Sequence, residues 1–397
     1  MKAAYVIDVV RTPVGKYGGA LSSIRPDDML ANVISALLER YESIDLNAIE
    51  EVIAGAANQA GEDNRNVARM AALLAGLPVS VAGVTVNRLC ASGLQAIMEA
   101  ARRINCGEAE LIIAGGVESM TRAPFVLPKQ AYPFSRSTEI YDTTLGWRFV
   151  NDKLARMHYP FTMGETAENV AKQWNISREE QDQFAFESQE KYFSAKEQNR
   201  WEDEITAVEV YNNGLVSWVV NDEHPRQTSP EKLATLKPAF SKDGTVTAGN
   251  SSGINDGAAA MLLASDEAVK KFGLHPIAKV ISMAVAGVDP AIMGIGPVPA
   301  TQKALKRANL QVNDLDLVEL NEAFASQSIA CIRDLGFDPK NVNVNGGAIA
   351  IGHPLGCSGV RISATLLHEM KRRKAKFGLA TMCVGVGQGA SVIYAGL

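Results

Sequence analysis

Cys90 lies in residues 84–93 (VTVNRLCASG), where an apolar strand pattern runs into a small-residue turn and then into the helical spacing of Leu94, Ile97, Met98 and Ala101. A thiol at the mouth of a helix faces unpaired backbone N–H groups and the positive end of the helix dipole. Both favour the thiolate, which is the nucleophilic form, so such a cysteine is a candidate covalent catalyst. A lone cysteine that merely begins a helix is more often a small buried hydrophobe. Two further segments change the balance. Residues 345–359 (NGGAIAIGHPLGCSG) hold His353 between a glycine and a proline, which forces the backbone extended and keeps the histidine out of any helix. Residues 381–389 (TMCVGVGQG) end a strand on Cys383 and continue in glycines whose bare backbone can approach a ligand closely. Each segment alone reads as structural, whereas the three together read as a site.

Comparing the chain with itself relates these segments. Shifted by 266 residues, IEEV at 49–52 falls on LDLV at 315–318, and CASGLQAIM at 90–98 falls on GCSGVRISA at 356–364. The same shift puts position 353 on Asn87; a shift of 268 puts LIIAGG at 111–116 on LATMCV at 379–384, so that Cys383 stands where the first copy has Gly115. The chain reads as a doubled unit in which Cys90 and His353 come from the same strand-to-helix elbow. A pseudo-twofold packing of the halves brings these elbows face to face.

The elements that must position them alternate between β and α patterns. Residues 2–10 read as a strand, and Leu30, Val33, Ile34, Leu37, Leu38 and Tyr41 follow helical spacing from an Asp27/Asp28 cap. Strands over 51–55 and 111–116 flank the helix after Cys90, giving a βαβ organisation with buried parallel strands. The second copy repeats it with strands at 278–282, 316–320, 342–345 and 379–383 and helices over 299–308, 323–335 and 358–373. The expected division is a first core half over 1–119, an inserted loop domain over 120–245, a return to the first half over 246–272 and a second core half over 273–397. The insert is richer in aromatic and charged residues and holds an exposed helix capped at Ser177 with Glu180. The loop 247–257 (TAGNSSGINDG) is small and hydroxyl-rich but has neither the Walker spacing nor the dinucleotide fingerprint.

Bulk properties exclude several classes. A chain of 397 residues, 47% hydrophobic and 21% charged, can bury two or three cores. Five cysteines without close pairing describe neither a disulfide framework nor a zinc site, and point to a reducing, cytoplasmic setting. The first residues lack the apolar core of a signal peptide, and no apolar run approaches the roughly 20 residues that span a bilayer. A net charge of -5 without a basic stripe argues against nucleic-acid binding. No metal, flavin or nicotinamide is implied.

The segments 87–93 (NRLCASG), 318–324 (VELNEAF), 345–356 (NGGAIAIGHPLG) and 383–389 (CVGVGQG), in this order and spacing, resemble the thiolase family over essentially the whole chain. Within the family, residues 57–70 (ANQAGEDNRNVARM), 134–136 (FSR) and 142–151 (DTTLGWRFVN) most resemble the β-ketoadipyl-CoA (3-oxoadipyl-CoA) thiolases of aromatic-acid catabolism. Ala91 and Ser251 stand where relatives often have Gly and Ala. Thr162 stands where some acetoacetyl-CoA thiolases carry a histidine, which weakens the case for a short acetoacetyl substrate.

The resemblance implies the thiolase fold, two α/β halves stacked as five layers (αβαβα) with a loop domain, in a homo-oligomer that is a dimer or a dimer of dimers. It implies ping-pong cleavage of a 3-oxoacyl-CoA by CoA, with CoA as co-substrate and no tightly bound cofactor. Cys90 is then the nucleophile, His353 its base and Cys383 the acid that protonates the acetyl-CoA enolate. Asn321 holds a water that with His353 stabilises the enolate, and the backbone N–H groups of Cys90 and Gly385 stabilise the tetrahedral intermediate. Met163, Arg226, Ser252, Ala323 and Phe324 fall near CoA, with Arg226 toward the nucleotide end. Cys331, on the Phe324/Ser328/Cys331/Leu335 helical face, belongs to the core, and Cys106 and Cys357 to unreactive positions. A dicarboxylic acyl chain needs a fixed cation or hydrogen-bond donors for its second carboxylate, and Arg65, Arg136 and Arg148 are candidates. The alternatives are a general 3-ketoacyl-CoA or acetoacetyl-CoA thiolase, a decarboxylating ketoacyl-synthase-type enzyme, which needs two histidines, and a non-catalytic acyl-CoA binder.

Overall fold

The structure is a computed structural model that describes residues 2–130, 132–212 and 214–397. The first half is built from β1 (Ala4–Arg11), α1 (Pro26–Glu39), β2 (Glu51–Gly55), α2 (Val67–Leu74), β3 (Ala82–Val86), α3 (Ser92–Cys106) and β4 (Leu111–Ser119). After a long insert that contains α4 (Met163–Gln173) and α5 (Arg178–Glu197), β5 (Asn255–Ala264) returns to the sheet. The second half follows with β6 (Ala278–Gly287), α6 (Pro297–Ala308), β7 (Leu317–Leu320), α7 (Ala325–Leu335), α8 (Leu355–Arg373), β8 (Phe377–Val384) and β9 (Gln388–Gly396).

The strands lie in the order β7-β8-β9-β6-β1-β5-β4-β2-β3, a two-residue strand at Gly15–Lys16 pairing with β5 as well. The order repeats: β2, β4, β5 and β1 in the first half correspond to β7, β8, β9 and β6 in the second. The halves join where β1 and β6 pair antiparallel, Ala4 opposite Val280. Three apolar clusters define the layers. One packs α1 and α2 on the outer face of the first half-sheet, one packs the second half-sheet on its outer helices, and the largest lies around α3 and α8 between the two half-sheets. This is the five-layer αβαβα stack.

The buried parallel sheet of the sequence reading needs correction. Among the named strands, β2 with β3, β2 with β4, and β7 with β8 pair parallel, whereas β1, β5, β6 and β9 pair antiparallel. β5 was hidden because its alanine-rich segment has weak strand propensity, yet every residue of it is buried. No strand forms over 342–345; Val342 makes a single bridge to Val318. Asn343 replaces the ladder instead: its amide accepts from Leu320 N–H and donates to Leu320 C=O, both at 2.8 Å, and its φ of 46° turns the chain away. The helix expected from an Asp27/Asp28 cap begins at Pro26, whose fixed φ suits the first helical position, and the two acids sit in the first turn. The Ser177/Glu180 capping box forms as expected, but α5 is only half exposed, because Gln181, Ala185, Ser188, Tyr192 and Ala195 are buried. No helix among the described residues is long and apolar enough to cross a membrane.

Glycines set the spacing of the central layer. A Cβ on Gly93 of α3 would lie 2.7 Å from Gly356 O, and one on Gly359 of α8 would lie 2.0 Å from Leu94 N. The two helices therefore touch backbone to backbone at their first turns. Gly359→Ala forces that contact apart, and we expect a loss of about 3 kcal/mol or more, larger than ordinary overpacking because the opposing atoms are main chain. Urea unfolding of purified variants measures it; a loss below about 1 kcal/mol contradicts the close approach.

Candidate active site

The elbow before α3 is a tightly tied turn. Leu89 has φ 46°, an unusual conformation for a leucine, and the local hydrogen bonds over-determine it. Ser92 Oγ accepts from Arg88 N–H at 2.9 Å and donates to Leu89 O at 2.6 Å; Leu89 N–H donates to Asn87 Oδ1 at 2.8 Å. Asn87 in turn donates to Ala57 O at 2.9 Å, fixing the elbow to the loop after β2. Cys90 sits at this turn with part of its surface exposed.

Several effects act on this thiol, and the largest opposes the pull of the helix mouth. Desolvation pushes it up from 9.0 to about 11, outweighing the N–H groups of Gly385 and of Cys90 itself, which pull it down; the Glu118 carboxylate pushes it up further. Helix-end charge is a partial charge, whereas moving a thiolate out of water is a full one. The two N–H groups nonetheless converge on the sulfur from separate halves of the chain.

His353 occupies the equivalent elbow, between a short helix at Ala348–Ile351 and α8. Asn255 Oδ1 accepts from its backbone N–H at 2.9 Å. Its ring Nδ1 lies 2.6 Å from Ser358 Oγ, and that hydroxyl donates its only proton to Pro354 O at 2.8 Å. Ser358 must then accept, so Nδ1 carries the proton and Nε2 is left as a base. Burial, then the positive charge of Arg361, lowers the imidazole from 6.5 to about 3, keeping it neutral. Asn321 Nδ2 lies 3.5 Å from Nδ1 and 3.4 Å from Nε2, so the amide sits over the ring instead of along one lone pair. Its other end faces Arg361, whose Nη2 donates to Asn321 Oδ1 at 3.4 Å. Among the described residues, no hydrogen bond joins the Cys90 thiol to the His353 ring.

Cys383 ends β8 with its thiol fully buried. Burial raises it well above the ordinary thiol value, and the nearby Cys90 and Cys331 thiols add to this. It shares an apolar cluster with Ala323, Phe324, Val246 and Met293, with Met163 packed against it. Ser252 N–H donates to Ala323 O at 3.0 Å, so the loop 247–257 borders the same wall. Four of the five expected CoA contacts thus gather beside Cys383. Arg226 stands apart as an exposed rim residue, donating from Nη2 to Ala248 O at 2.8 Å.

Cys331 is buried, 3.3 Å from Gly294 O, and Cys357 is buried with its thiol pushed up to about 12. Cys106 is exposed.

Sequence reasoning missed three groups. Ser358, in the first turn of α8, selects the tautomer. Arg361 orients Asn321. Glu118, at the end of apolar β4, accepts from Ala57, Asn58 and Gly356 N–H groups at 2.9, 3.2 and 2.8 Å, so one carboxylate pins both elbows. Burial raises it to about 7. A lone acid in an otherwise apolar strand was its only visible signal.

A family model described as Thiolase, N-terminal domain, matches residues 4–267, and one described as Thiolase, C-terminal domain, matches residues 274–395. The 3-oxoadipyl-CoA/3-oxo-5,6-dehydrosuberyl-CoA thiolase of Escherichia coli is 53% identical over 99% of each chain. A β-ketoadipyl-CoA thiolase of Pseudomonas aeruginosa is 55% identical over 98% of each, and an acetyl-CoA acetyltransferase of the same organism 48% over 100% of each. Among solved structures, the acetyl-CoA acetyltransferase of Bacillus anthracis superposes with a TM-score of 0.94 at 42% identity, covering 100% of this chain and 99% of that one. Human mitochondrial 3-ketoacyl-CoA thiolase in complex with CoA gives 0.93 at 41%, covering 100% and 98%.

A thiol held near 11 ionises progressively across the alkaline range. Alkylation of Cys90 by iodoacetamide is expected to accelerate by roughly tenfold per pH unit from pH 8 to 10, since only the thiolate reacts. A rate already level at pH 8, followed by peptide mass spectrometry, contradicts the neutral thiol.

Proposed function

Because the chain belongs to the thiolase family, a family of acyltransferases that cleave 3-oxoacyl-CoA with CoA, we propose that it cleaves 3-oxoadipyl-CoA to acetyl-CoA and succinyl-CoA through an acyl-enzyme on Cys90. The convergence of the Cys90 thiol, the Cys383 thiol and the Gly385 N–H carries this reading, with the His353 elbow packed against α3.

His353 Nε2 takes the Cys90 proton as the sulfur attacks C3 of the substrate. Ionisation is coupled to attack, because neither partner is charged at rest. Negative charge on the C3 oxygen is met by the N–H groups of Cys90 and Gly385. The C2–C3 bond then breaks, its electron pair passing to acetyl-CoA as an enolate, and Cys383 delivers its proton to C2. A buried thiol with a high pKa is matched to a carbon acid. The enolate oxygen faces His353 and a water on Asn321, whose N–H end Arg361 turns toward the site. CoA enters second; its thiol gives its proton to the Cys383 thiolate and attacks the Cys90 thioester. Succinyl-CoA leaves, and His353 returns its proton to Cys90. Losing one oxyanion donor typically costs about 3–4 kcal/mol of barrier.

CoA lies along Met163, Ser252, Ala323 and Phe324, with Arg226 at the nucleotide end. The dicarboxylic substrate is supported by greater identity to the β-ketoadipyl-CoA thiolases than to acetyl-CoA acetyltransferase. A ketoacyl-synthase-type reaction is disfavoured, since the position its second histidine would take holds Cys383. The chain is further read as a cytoplasmic homo-oligomer. Five free cysteines suit the first, and the exposed Phe125, Leu127, Tyr132 and Phe134 the second.

Cys90→Ala is expected to abolish the acyl adduct that mass spectrometry finds on the wild type. Cys383→Ser should leave Cys90 open to acylation by an activated thioester while removing deuterium exchange of the acetyl-CoA methyl protons, because a hydroxyl is too weak an acid for that step. An adduct on another residue, or normal exchange in Cys383→Ser, contradicts the assignment.

A further inference from the structure

We infer that Arg148 reads the distal carboxylate of the acyl chain, an assignment that rests on the dicarboxylic substrate proposed above. Residues 143–149 are tied at Thr143, Trp147 and Arg148 to two segments that flank the site residues. On one side Arg148 Nη2 donates to Asn58 Oδ1 at 3.1 Å, and Asn58 Nδ2 donates to Thr143 Oγ1 at 3.0 Å. Asn58 N–H lies on the Glu118 carboxylate, and its neighbour Ala57 holds Asn87 of the Cys90 elbow. On the other side Trp147 Nε1 donates to Phe161 O at 2.9 Å. Phe161 stands two residues before Met163, whose Sδ would lie 3.5 Å from a Cβ on Gly385. The guanidinium is thereby tied into the shell that shapes the nucleophile turn, next to the wall that carries the oxyanion N–H.

The turn that presents it is set. Phe149 has φ 52°, and its ring packs on Tyr141 at 5.0 Å. Arg148 is half-buried, and among the described residues it has no carboxylate within ion-pair distance, whereas Arg25, Arg122 and Arg178 are each paired. A partly desolvated guanidinium has five N–H donors in a planar fork that fits a carboxylate. One donor is spent on Asn58.

The reach is short. In the acyl-enzyme three carbon–carbon bonds, about 4 Å end to end, separate the thioester carbon from the carboxylate carbon. The reader must therefore stand beside the elbow; Arg65 and Arg136 are both exposed, and among the described residues neither side chain is hydrogen-bonded to the loop that holds the elbow, as Arg148 is. Arg88 is closer to Cys90 in sequence, but its Nε and Nη1 are held by Gln95 and Gln388, each at 2.7 Å.

The test compares kcat/KM for 3-oxoadipyl-CoA with that for 3-oxohexanoyl-CoA, the same chain ending in a methyl group. The wild type should prefer the former. Arg148→Met should reduce the ratio by roughly tenfold or more, chiefly through KM for the dicarboxylic substrate, and Arg148→Lys should recover part of it. Arg65→Met and Arg136→Met should keep the wild-type ratio. A purely structural loss lowers both substrates together and leaves the ratio unchanged, which overturns the inference; so does a collapse of the ratio in Arg88→Met instead. If Arg148→Met does not fold, the neutral, polar Arg148→Gln decides by the same ratio: unchanged, Arg148 is not the reader. A wild type without preference defeats the dicarboxylic reading itself and the inference with it, an outcome distinguishable from failure of Arg148 alone.

Discussion

Backbone contact between α3 and α8 is the constraint on which the rest depends. Cys90 and His353 stand just before these helices, so the separation of the helices sets the separation of the two elbows. Side chains at the crossing would hold them apart. Gly93, Gly356 and Gly359 instead let carbonyl and amide groups meet, and Gly116 admits the Gly356 carbonyl where a Cβ would lie 2.2 Å from it. Glu118 then closes the same corner, one carboxylate taking N–H groups from the loop after β2 and from the start of α8. A duplicated strand-to-helix unit needs no new architecture to make a site between its copies. It needs a close crossing and different residues at the two equivalent turns.

Burial decides the electrostatics. Helix mouths and N–H groups act on Cys90 in the direction of ionisation, yet desolvation is larger and the resting pair is a thiol and a neutral imidazole. Such a site stores its donors for charge that appears only during reaction, which is where stabilisation lowers a barrier. Ser358 and Arg361 serve the same end from behind. One leaves Nε2 of His353 unprotonated, and the other turns the Asn321 amide so that its N–H end faces the ring.

Much of this was legible in the chain. Residue type, glycine punctuation and the internal repeat pointed to Cys90, His353 and Cys383, and the repeat placed two of them at equivalent elbows. The pairing partners of strands were not legible: antiparallel β5 is alanine-rich with weak strand propensity, and the register of β5 and β9 depends on neighbours distant in sequence. Asn343 shows the same limit at one residue, since a side chain that imitates a strand ladder has no sequence pattern. How far desolvation offsets the helix-mouth donors at Cys90 depends on the assembled layers around it and is not written in the residues near it. Glu118, Ser358 and Arg361 escaped notice because ordinary residues acquire a role only through what folding sets beside them.

The central claim is a neutral base with one defined tautomer. Nitrogen NMR of imidazole-labelled protein at pH 7, with His353 assigned against a His353→Gln variant among the five histidines, reports it directly. The expected spectrum has one protonated nitrogen, Nδ1, and one unprotonated nitrogen, Nε2. An imidazolium with both nitrogens protonated, implying a Cys90 thiolate at rest, would contradict the account.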